Sequence, residues 1–424
     1  MLAFQKKLSN LFYVVLGLPA TAMGFGLSIQ IAVLSWILKT QYNLDIHEIG
    51  IVWAAGPIAG IIGQPIVGLI SDGVWFWGGR RRPFIVIGGI LAAISILALP
   101  NIGLISETLG IGSIMAVAIT VALTLDLSIN ISFNPTRAII ADVTPDGDPR
   151  TKGYTWMQAI SNFFGAGAYL IAALIGNIEL VYIGVGVVFL FSVVPLVFIK
   201  EPRDLTTVED DDVKATRTDW TELFKIYFAH SFSWLGIQTM FIYSIGFFEQ
   251  RFAYDPARFE NMDAYNTYLG SIIGWSFFIL NAVGAIFPIA LLEPLSKKIG
   301  KVKTQVGAVA SMAVGYFLIV VFVKDTLTMY AIFVLLSLGW AAVVSLPFAI
   351  MTEKVNKKKM GFFMGIFNLS VVIPQLIASF VLGIFIFHAE DKSLIYEISA
   401  ISLAVSAILW LFVKEKSAHK VEAY

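Results

Sequence analysis

The 424-residue sequence contains no cysteine and only four histidines. The lack of thiols excludes disulfides, thiolate nucleophiles and cysteine-based metal centres. His47-Glu48 is not followed by a second histidine at the HExxH spacing, and neither a GxSxG motif nor a Walker loop occurs. We therefore predict that the protein is not an enzyme and holds no metal and no organic cofactor.

Charged residues are also scarce, at 14% of the chain against roughly 25% in average soluble proteins. Hydrophobic residues make up 58%, which is typical of a polytopic membrane protein. The formal net charge is zero, and no basic tract with interleaved aromatic residues is present. These features give no support to a nucleic-acid partner, and they predict the lipid bilayer as the main surrounding of the chain.

Apolar stretches of about 20 residues are long enough to cross a hydrocarbon core as helices. Twelve stretches qualify: 11–38, 48–71, 83–100, 111–140, 154–176, 179–199, 222–248, 266–292, 304–323, 327–351, 361–387 and 394–413. We predict an all-α membrane protein of twelve transmembrane helices. The polar segment 200–221 would link an N-terminal bundle of six helices (1–199) to a C-terminal bundle of six (222–424).

Lysine and arginine residues predict the orientation of these helices. When alternate loops are grouped, 23 cations fall on one side and 5 on the other, with Arg137 left inside a span. An even number of spans places both termini on one side of the membrane. We therefore predict a multi-pass protein of the cytoplasmic (inner) membrane with both termini and the 200–221 linker in the cytoplasm.

The two predicted bundles contain similar sequences at the same places. Residues 68–83 and 291–301 each have an acid near a helix end followed by glycine and cations, and 138–143 is likewise matched by 349–354. This order indicates a parallel repeat, which is typical of transporters with a central site between two six-helix halves. We predict a cytoplasmic gate formed by Gly68, Asp72, Arg80, Arg81, Arg82, Asp142, Glu293 and Glu353. A purely topological role for the arginines stays open.

The fourth predicted span contains Asp126, Asn130, Asn134 and Arg137. At 100° per residue they fall within about 80° of one another, so they share one stripe of a helix. Asp126 and Arg137 would lie roughly 16 Å apart along the axis, although Pro135 can bend the helix. Because a charge at membrane depth is costly, such residues are functional by default. A pair of buried structural ions is the alternative.

Other polar side chains are expected at membrane depth in both halves. Amides offer donors and acceptors, which suits a neutral ligand rich in hydroxyl groups. Each amide taken singly is also compatible with a role in helix packing. The predicted substrate-binding residues are Phe25, Ser28, Gln30, Gln64, Asn130, Asn134, Arg137, Gln158, Asn162, Asn281, Asn368 and Gln375.

Several of these stretches carry a family resemblance. Residues 24–34, 56–72, the Gly-Arg-Arg-Arg-Pro-Phe-Ile run at 79–85, 126–142 and 365–375 resemble the plant sucrose/proton symporters and their bacterial and animal relatives, which are glycoside–cation symporters of the major facilitator superfamily. The resemblance implies the major facilitator fold around a central cavity, a role of Asp126 in proton coupling and a role of Arg137 in sugar transport. His47 matches a histidine of the first external loop. Residues 233–243 depart from the plant pattern.

We therefore predict a secondary transporter that imports a glucoside, such as the disaccharides sucrose or maltose, together with a proton. Asp126 and Arg137 would couple the two, and the proton gradient would supply the energy. Sodium coupling and a non-transporting sugar sensor are the alternatives. We expect the protein to work as a monomer with a small sugar as its ligand.

Overall fold

The computed structural model describes residues 7–145, 148–202, 218–355 and 360–415. Within its helices, the side chains of residues 64, 65, 68, 69, 71–73, 148, 150, 151, 289, 360–362, 364 and 365 lie outside this description. The described chain is built from helices. Its one β feature is an isolated antiparallel bridge between Phe76 and Gly79.

Most consecutive helices are joined by short connections, whereas residues 199–219 separate α8 from α9. The N-terminal ones are α1 Asn10–Thr40, α2 Ile46–Trp53, α3 Ala55–Gly73, α4 Arg82–Ala98, α5 Ile102–Leu109, α6 Ile114–Val143, α7 Asp148–Leu174 and α8 Asn177–Phe198. The C-terminal ones are α9 Trp220–Arg251, α10 Met262–Phe287, α11 Glu293–Ile299, α12 Lys301–Phe322, α13 Thr326–Val343, α14 Leu346–Thr352, α15 Met360–Ile377, α16 Gly383–His388 and α17 Leu394–Trp410.

The twelve predicted spans all coincide with helical stretches, so the all-α fold class is confirmed. Several spans are composed of two consecutive helices, such as α2 with α3. In the described part of the chain, ten stretches are long and apolar enough to cross a membrane, judged by length and composition. The apolar α17 is shorter, at 17 residues, and α9, at 32 residues, coincides with the seventh predicted span.

One compact unit comprises residues 1–208, 241–282 and 378–392, as far as they are described. Within it, α1 packs along α7 and α8, and α4 packs along α6. The helix α1 begins after Ser9, whose hydroxyl accepts a hydrogen bond from the Phe12 amide, as N-cap residues do. A buried apolar cluster near this end includes Leu16, Ile85 and Ile139.

A second compact unit comprises residues 209–240, 283–377 and 393–424, again as far as they are described. Within it, α12 packs along α13 and α17. A buried apolar cluster of this unit joins Leu223 and Ile226 of α9 to Ile350, Phe363 and Trp410. The predicted bundle boundaries stay a prediction, since residues 203–217 of the linker lie outside the described chain.

Two helical stretches contain a π-helical turn. Pro288–Leu292 joins α10 to α11, and Ala378–Leu382 joins α15 to α16. A π turn inserts an extra residue into the hydrogen-bond ladder and often lies at a functional position. Both turns lie in the second half of the sequence, so the two halves are not identical in backbone geometry along the described chain.

Candidate functional site

The four polar residues of the predicted stripe all lie on α6, which starts after the N-cap Ser113. Asp126 is 5% exposed and Asn130 is 9% exposed, so both are buried. Asn134 is partly buried, and Arg137 is exposed. The stripe therefore changes from buried to accessible along the helix, with the carboxylate in its buried part.

The buried carboxylate of Asp126 is held by a neutral partner. Gln30 on α1 donates a hydrogen bond from Nε2 to Asp126 Oδ2 over 2.9 Å, and Gln30 is itself only 3% exposed. The backbone of α3 also packs directly against this carboxylate, since a Cβ added at Gly56 would lie 3.3 Å from Asp126 Oδ2. The carboxylate is thus enclosed by an amide and a glycine backbone, without a cation among the described ion pairs.

Asn130 lies one turn beyond Asp126. Its Nδ2 donates to the backbone carbonyl oxygen of Asp126 over 2.8 Å. A Cβ added at Gly63 of α3 would lie 3.2 Å from Asn130 Cβ. Gly56 and Gly63 are seven residues apart, about two helical turns, so they bring one face of α3 against the polar stripe. Neither glycine was among the predicted site residues.

The guanidinium of Arg137 lies over the ring of Phe133, with its Cζ 4.1 Å from the ring centroid. Such a cation–π contact is weakly stabilising at an exposed position. The backbone carbonyl of Arg137 accepts a hydrogen bond from the Tyr154 hydroxyl over 3.2 Å. Among the described ion pairs, none joins Arg137 to Asp126.

Two further predicted residues of α1 are buried in helix packing. Phe25 is 2% exposed, and its ring meets that of Phe164 at 6.4 Å in an edge-to-face arrangement. Ser28 is 8% exposed and donates to the backbone carbonyl of Gly24 over 3.1 Å. Their assignment to substrate binding stays a prediction.

The amides of α7 form a pair on its exposed side. Gln158 Nε2 donates to Asn162 Oδ1 over 2.8 Å. The helix is attached to α1 nearby, where the hydroxyls of Thr21 and Ser161 are 3.1 Å apart. The amide pair therefore presents polar groups from a helix whose other side is packed against α1.

The remaining predicted amides are distributed over three helices. Asn281 on α10 donates to the backbone carbonyl of Phe277 over 2.9 Å. On α15, Asn368 is partly buried, and Gln375 Nε2 donates to Gln238 Oε1 of α9 over 3.1 Å. Gln238 was not predicted as a site residue. The side chain of Gln64 lies outside the described residues.

A charged cluster in the first unit, which we call the N-terminal cap cluster, comprises Arg81, Asp142 and Glu201. Arg81 Nε and Asp142 Oδ2 form an ion pair at 3.1 Å, with both side chains at most 12% exposed. The Glu201 carboxylate accepts hydrogen bonds from the backbone amides of Arg80, Arg81 and Arg82 over 2.8, 2.9 and 2.8 Å. A carboxylate at a helix N-terminus is stabilised by the unpaired amides and the helix dipole. Glu201 thus caps α4.

The second unit contains the same arrangement, the C-terminal cap cluster, in Lys301, Glu353 and Glu415. Lys301 and Glu353 form an ion pair, and Glu415 Oε1 accepts from the Lys301 backbone amide over 2.6 Å. The two capping glutamates follow similar sequences, Ile-Lys-Glu at 199–201 and Val-Lys-Glu at 413–415. The predicted parallel repeat therefore extends to a pair of glutamates that were not predicted.

Glycines permit both caps. A Cβ added at Gly79 would lie 2.5 Å from Glu201 Oε1, and one added at Gly300 would collide with the Glu415 carboxylate. Gly300 also has φ +92°, a conformation that favours glycine.

Of the other predicted gate residues, Glu293 bonds Lys297 at 2.6 Å, and this hydrogen bond holds the Glu293 pKa below its usual range. Residues 68 and 72 have side-chain positions outside the described residues.

Another set of contacts in the first unit, the α1–α9 seal, joins the end of α1 to α9 and α10. It comprises Ser35, Trp36, Lys39, Tyr243 and Glu249. Ser35 Oγ donates to the Ile242 carbonyl over 2.8 Å, and Trp36 Nε1 donates to the Asn266 carbonyl over 2.7 Å. Lys39 Nζ and Glu249 Oε2 lie 3.5 Å apart. Sequence analysis missed this cluster, because its members are separated by about 200 residues.

The buried Tyr243 completes the seal. Its hydroxyl donates to the carbonyl oxygen of Ala378, the first residue of a π-helical turn, over 3.0 Å. Gly50 of α2 leaves the room that this hydroxyl occupies. A cavity of about 260 Å³ beside the seal is lined by Lys39, Glu249, Lys392 and others. Burial, and then the nearby Lys39, lower the pKa of Lys392.

Comparison with known proteins agrees with this architecture. The family profile described as Major Facilitator Superfamily matches residues 17–379 and 262–423. Sucrose transport protein SUT2 of Oryza sativa subsp. indica is 24% identical over 421 residues, which cover 85% of this chain and 84% of that protein. Sucrose transport protein SUC4 of Arabidopsis thaliana is 28% identical over 171 residues, which cover 38% of this chain and 33% of that protein. The chain thus matches about a third of the length of SUC4 and most of the length of SUT2.

Solved structures share the fold at low sequence identity. A crystal structure of D-xylose-proton symporter has a TM-score of 0.70 and 16% identity, covering 96% of this chain and 99% of that one. A crystal structure of the nucleoside transporter NupG has a TM-score of 0.69 and 12% identity, covering 96% and 100%. At these identities the likeness concerns the fold alone.

Proposed function

The chain belongs to the Major Facilitator Superfamily, and we propose that it imports a glucoside, such as the disaccharides sucrose or maltose, together with a proton. The family resemblance predicted from the sequence is confirmed by the profile match and by the similarity to sucrose transport proteins. These relatives are named as transport proteins, in agreement with the prediction that the chain is not an enzyme.

The observation that carries the proposal is the buried carboxylate of Asp126, whose hydrogen-bonding side-chain partner is the neutral amide of Gln30. A buried negative charge is costly unless it is paired with a cation or neutralised by a proton. Since the described ion pairs include none at Asp126, proton binding is the simplest way to relieve that cost. We infer that Asp126 takes up and releases the coupling proton.

The same stripe supplies groups that suit a sugar. Asn130 and Asn134 lie on the stripe between the carboxylate and Arg137, and amides both donate to and accept from hydroxyls. A guanidinium adds five donors in a planar fork. In the proposed mechanism, sugar binding near this stripe changes the hydration of Asp126 or its distance from Arg137, and thereby changes its affinity for a proton.

Alternating access needs contacts that hold each end of the pathway closed in turn. We propose that the α1–α9 seal closes the external end, and that the two cap clusters belong to the cytoplasmic end. The supporting observation is their composition: the cap clusters contain the arginine and lysine loops that the positive-inside rule places in the cytoplasm. The cytoplasmic membrane, cytoplasmic termini and a monomeric transporter complete the proposal.

Reconstituted transport tests the function directly. We expect proteoliposomes containing the purified protein to accumulate radiolabelled sucrose or maltose when the external pH is lower than the internal pH, and to lose accumulation when a protonophore collapses the gradient. Accumulation that instead follows a sodium gradient would favour sodium coupling. Equilibrium sugar binding without exchange or accumulation would favour a sensor. Failure of a panel of disaccharides to bind or move would refute the sugar assignment.

A further inference from the structure

The first half of α9 carries three polar or aromatic residues at intervals of four: His230, Trp234 and Gln238. Residues four apart lie on one face of a helix. His230 is 2% exposed and Gln238 is 4% exposed, whereas Trp234 is partly exposed. Trp234 and Gln238 belong to the stretch 233–243, in which the sequence departs from the plant sucrose symporters, and the coupling mechanism above leaves this face unused.

His230 fixes the orientation of Trp234. The Trp234 indole Nε1 donates a hydrogen bond to His230 Nε2 over 2.9 Å. The imidazole in turn stacks on Phe367 of α15, with ring centroids 4.8 Å apart and an angle of 13° between the rings. Because Nε2 accepts, a neutral imidazole must carry its proton on Nδ1, which is buried without a partner in the described chain. The histidine is thus a rigid support for the indole.

A second aromatic residue completes an angled platform. Trp340 of α13 lies 6.1 Å from Trp234 between ring centroids, with an angle of 77° between the rings. Gly284 makes this position possible, since a Cβ there would lie 3.1 Å from Trp340 Cδ1. Both indoles are partly exposed. Two rings that meet at nearly a right angle form a concave apolar corner.

Amides lie one turn farther along the same face. Gln238 accepts a hydrogen bond from Gln375 over 3.1 Å. This leaves the Gln238 Nε2 group and the Gln375 Oε1 atom without a partner in the described chain. If the oxygen and nitrogen atoms of both side-chain amides exchanged places, one NH2 group and one oxygen would still have no hydrogen-bond partner in the described chain. Such unpaired groups are too costly to face hydrocarbon, so this face points to a polar ligand or to water.

The lipid-facing side of α9 lies elsewhere. Phe228 is 58% exposed, and at 100° per residue it lies about 120° around the helix from Trp234. The Trp234 face therefore differs both in direction and in composition from the apolar surface of the same helix.

We propose that Trp234, held by His230, stacks against the apolar C–H face of a pyranose ring, while Gln238 and Gln375 exchange hydrogen bonds with its hydroxyl groups. The corner with Trp340 limits the size and tilt of the ring. This inference deepens the proposed function and rests on it, because it assigns the sugar-recognising side chains of the C-terminal half. Trp234 and the amides touch the ligand, and His230 is a positioning residue.

Calorimetric titration of the purified protein in lipid nanodiscs with sucrose and maltose tests the inference. We expect Trp234→Phe to weaken the affinity about tenfold, which corresponds to about 1.4 kcal/mol, with a melting temperature near that of the wild type. Trp220→Phe is the matched control, since Trp220 packs on Phe363 at the start of the same helix, about four turns before Trp234. Equal affinities of Trp234→Phe and wild type, or equal losses in both variants, would overturn the inference.

The histidine and the amides have separate readouts. His230→Leu removes the acceptor and should lower sugar affinity, whereas His230→Gln keeps an acceptor for the indole N–H and should restore most of it. Gln238→Leu should reduce the ratio of the affinities for glucosides and the corresponding galactosides, because one sugar hydroxyl group then loses its hydrogen-bond partner. A proportional loss for all sugars would instead indicate a structural role. If the wild type binds no sugar, the proposed function itself fails; if it binds and these variants match it, only this inference fails.

Discussion

Gln30 and Asp126 join α1 to α6 through a single 2.9 Å hydrogen bond in which a neutral amide donates to a buried carboxylate. An amide partner can donate to the carboxylate and, after rotation, accept from a carboxylic acid. It therefore tolerates both protonation states, whereas a lysine or arginine partner would strongly favour the charged state. This property is what a site that binds and releases a proton requires.

We predict that Asp126→Asn abolishes accumulation of sugar by a pH gradient but leaves sugar binding and sugar exchange measurable. The amide keeps the size of the carboxylic acid and its bond with Gln30, but it cannot release a proton. Uptake and counterflow in proteoliposomes measure the two activities separately. A variant that still concentrates sugar against its gradient would rule out Asp126 as the coupling site.

The capping glutamates give a second prediction. Glu201→Gln and Glu415→Gln should each weaken the cap of α4 or α12 by about 0.3–1 kcal/mol, the usual contribution of a negative charge at a helix N-terminus, and slow net transport without changing equilibrium sugar affinity. The reason is that both residues bond backbone amides at helix ends and make none of the described hydrogen bonds to the polar stripe of α6. Initial rates and binding titrations of the same preparations check this, and a large loss of affinity in a folded variant would contradict it.

The sequence predicted the helices and the polar stripe because both depend on local spacing. Runs of apolar residues specify spans, and the four-residue intervals of Asp126, Asn130 and Asn134 place them on one face whatever the neighbouring helices do. The predicted repeat likewise pointed to Asp142 and Glu353, which form equivalent ion pairs in the two units.

Partners distant in sequence could not be predicted from spacing. Nothing local in Ile-Lys-Glu at 199–201 indicates that Glu201 caps a helix that starts about 120 residues earlier. The α1–α9 seal is a similar case, since Lys39 and Glu249 meet only when the chain is folded. Lys39 and Glu249 each read as an ordinary helix-end charge in the sequence.

Arg137 gives a third prediction. Arg137→Lys should reach the membrane at normal levels, melt near the wild type and fail to transport. A lysine keeps the charge but loses the planar fork that can contact a carboxylate and sugar hydroxyls together, as well as its stacking on Phe133. Fluorescence size-exclusion of the solubilised protein reports folding, and uptake reports function. Normal transport, or a failure caused by misfolding, would refute the proposed role.

The α1–α9 seal gives a fourth prediction, for which the absence of cysteine is an experimental advantage. A single cysteine at the buried position Ile46, beside the cavity lined by Lys39 and Glu249, should react slowly with a membrane-impermeant thiol reagent. Adding Glu249→Gln removes the ion pair and should accelerate labelling. As a control, Glu260→Gln changes an exposed acid in the α9–α10 connection that makes none of the described ion pairs. Equal labelling rates with and without Glu249→Gln would show that the Lys39–Glu249 ion pair does not keep the seal closed.

The last prediction concerns the glycine that faces the coupling carboxylate. A Cβ at Gly56 would lie 3.3 Å from Asp126 Oδ2 and 3.4 Å from Oδ1, a distance at which the neighbour must shift by a few tenths of an ångström. Gly56→Ala should therefore displace the carboxylate or add apolar surface beside it, and change the pH at which uptake is half-maximal. Gly60→Ala, one turn along the same helix, meets nothing within 4 Å and provides the matched control. Both substitutions raise helix propensity equally, so a difference between them isolates the contact with Asp126. Identical pH profiles for Gly56→Ala, Gly60→Ala and wild type would show that the close approach of α3 has no part in proton binding.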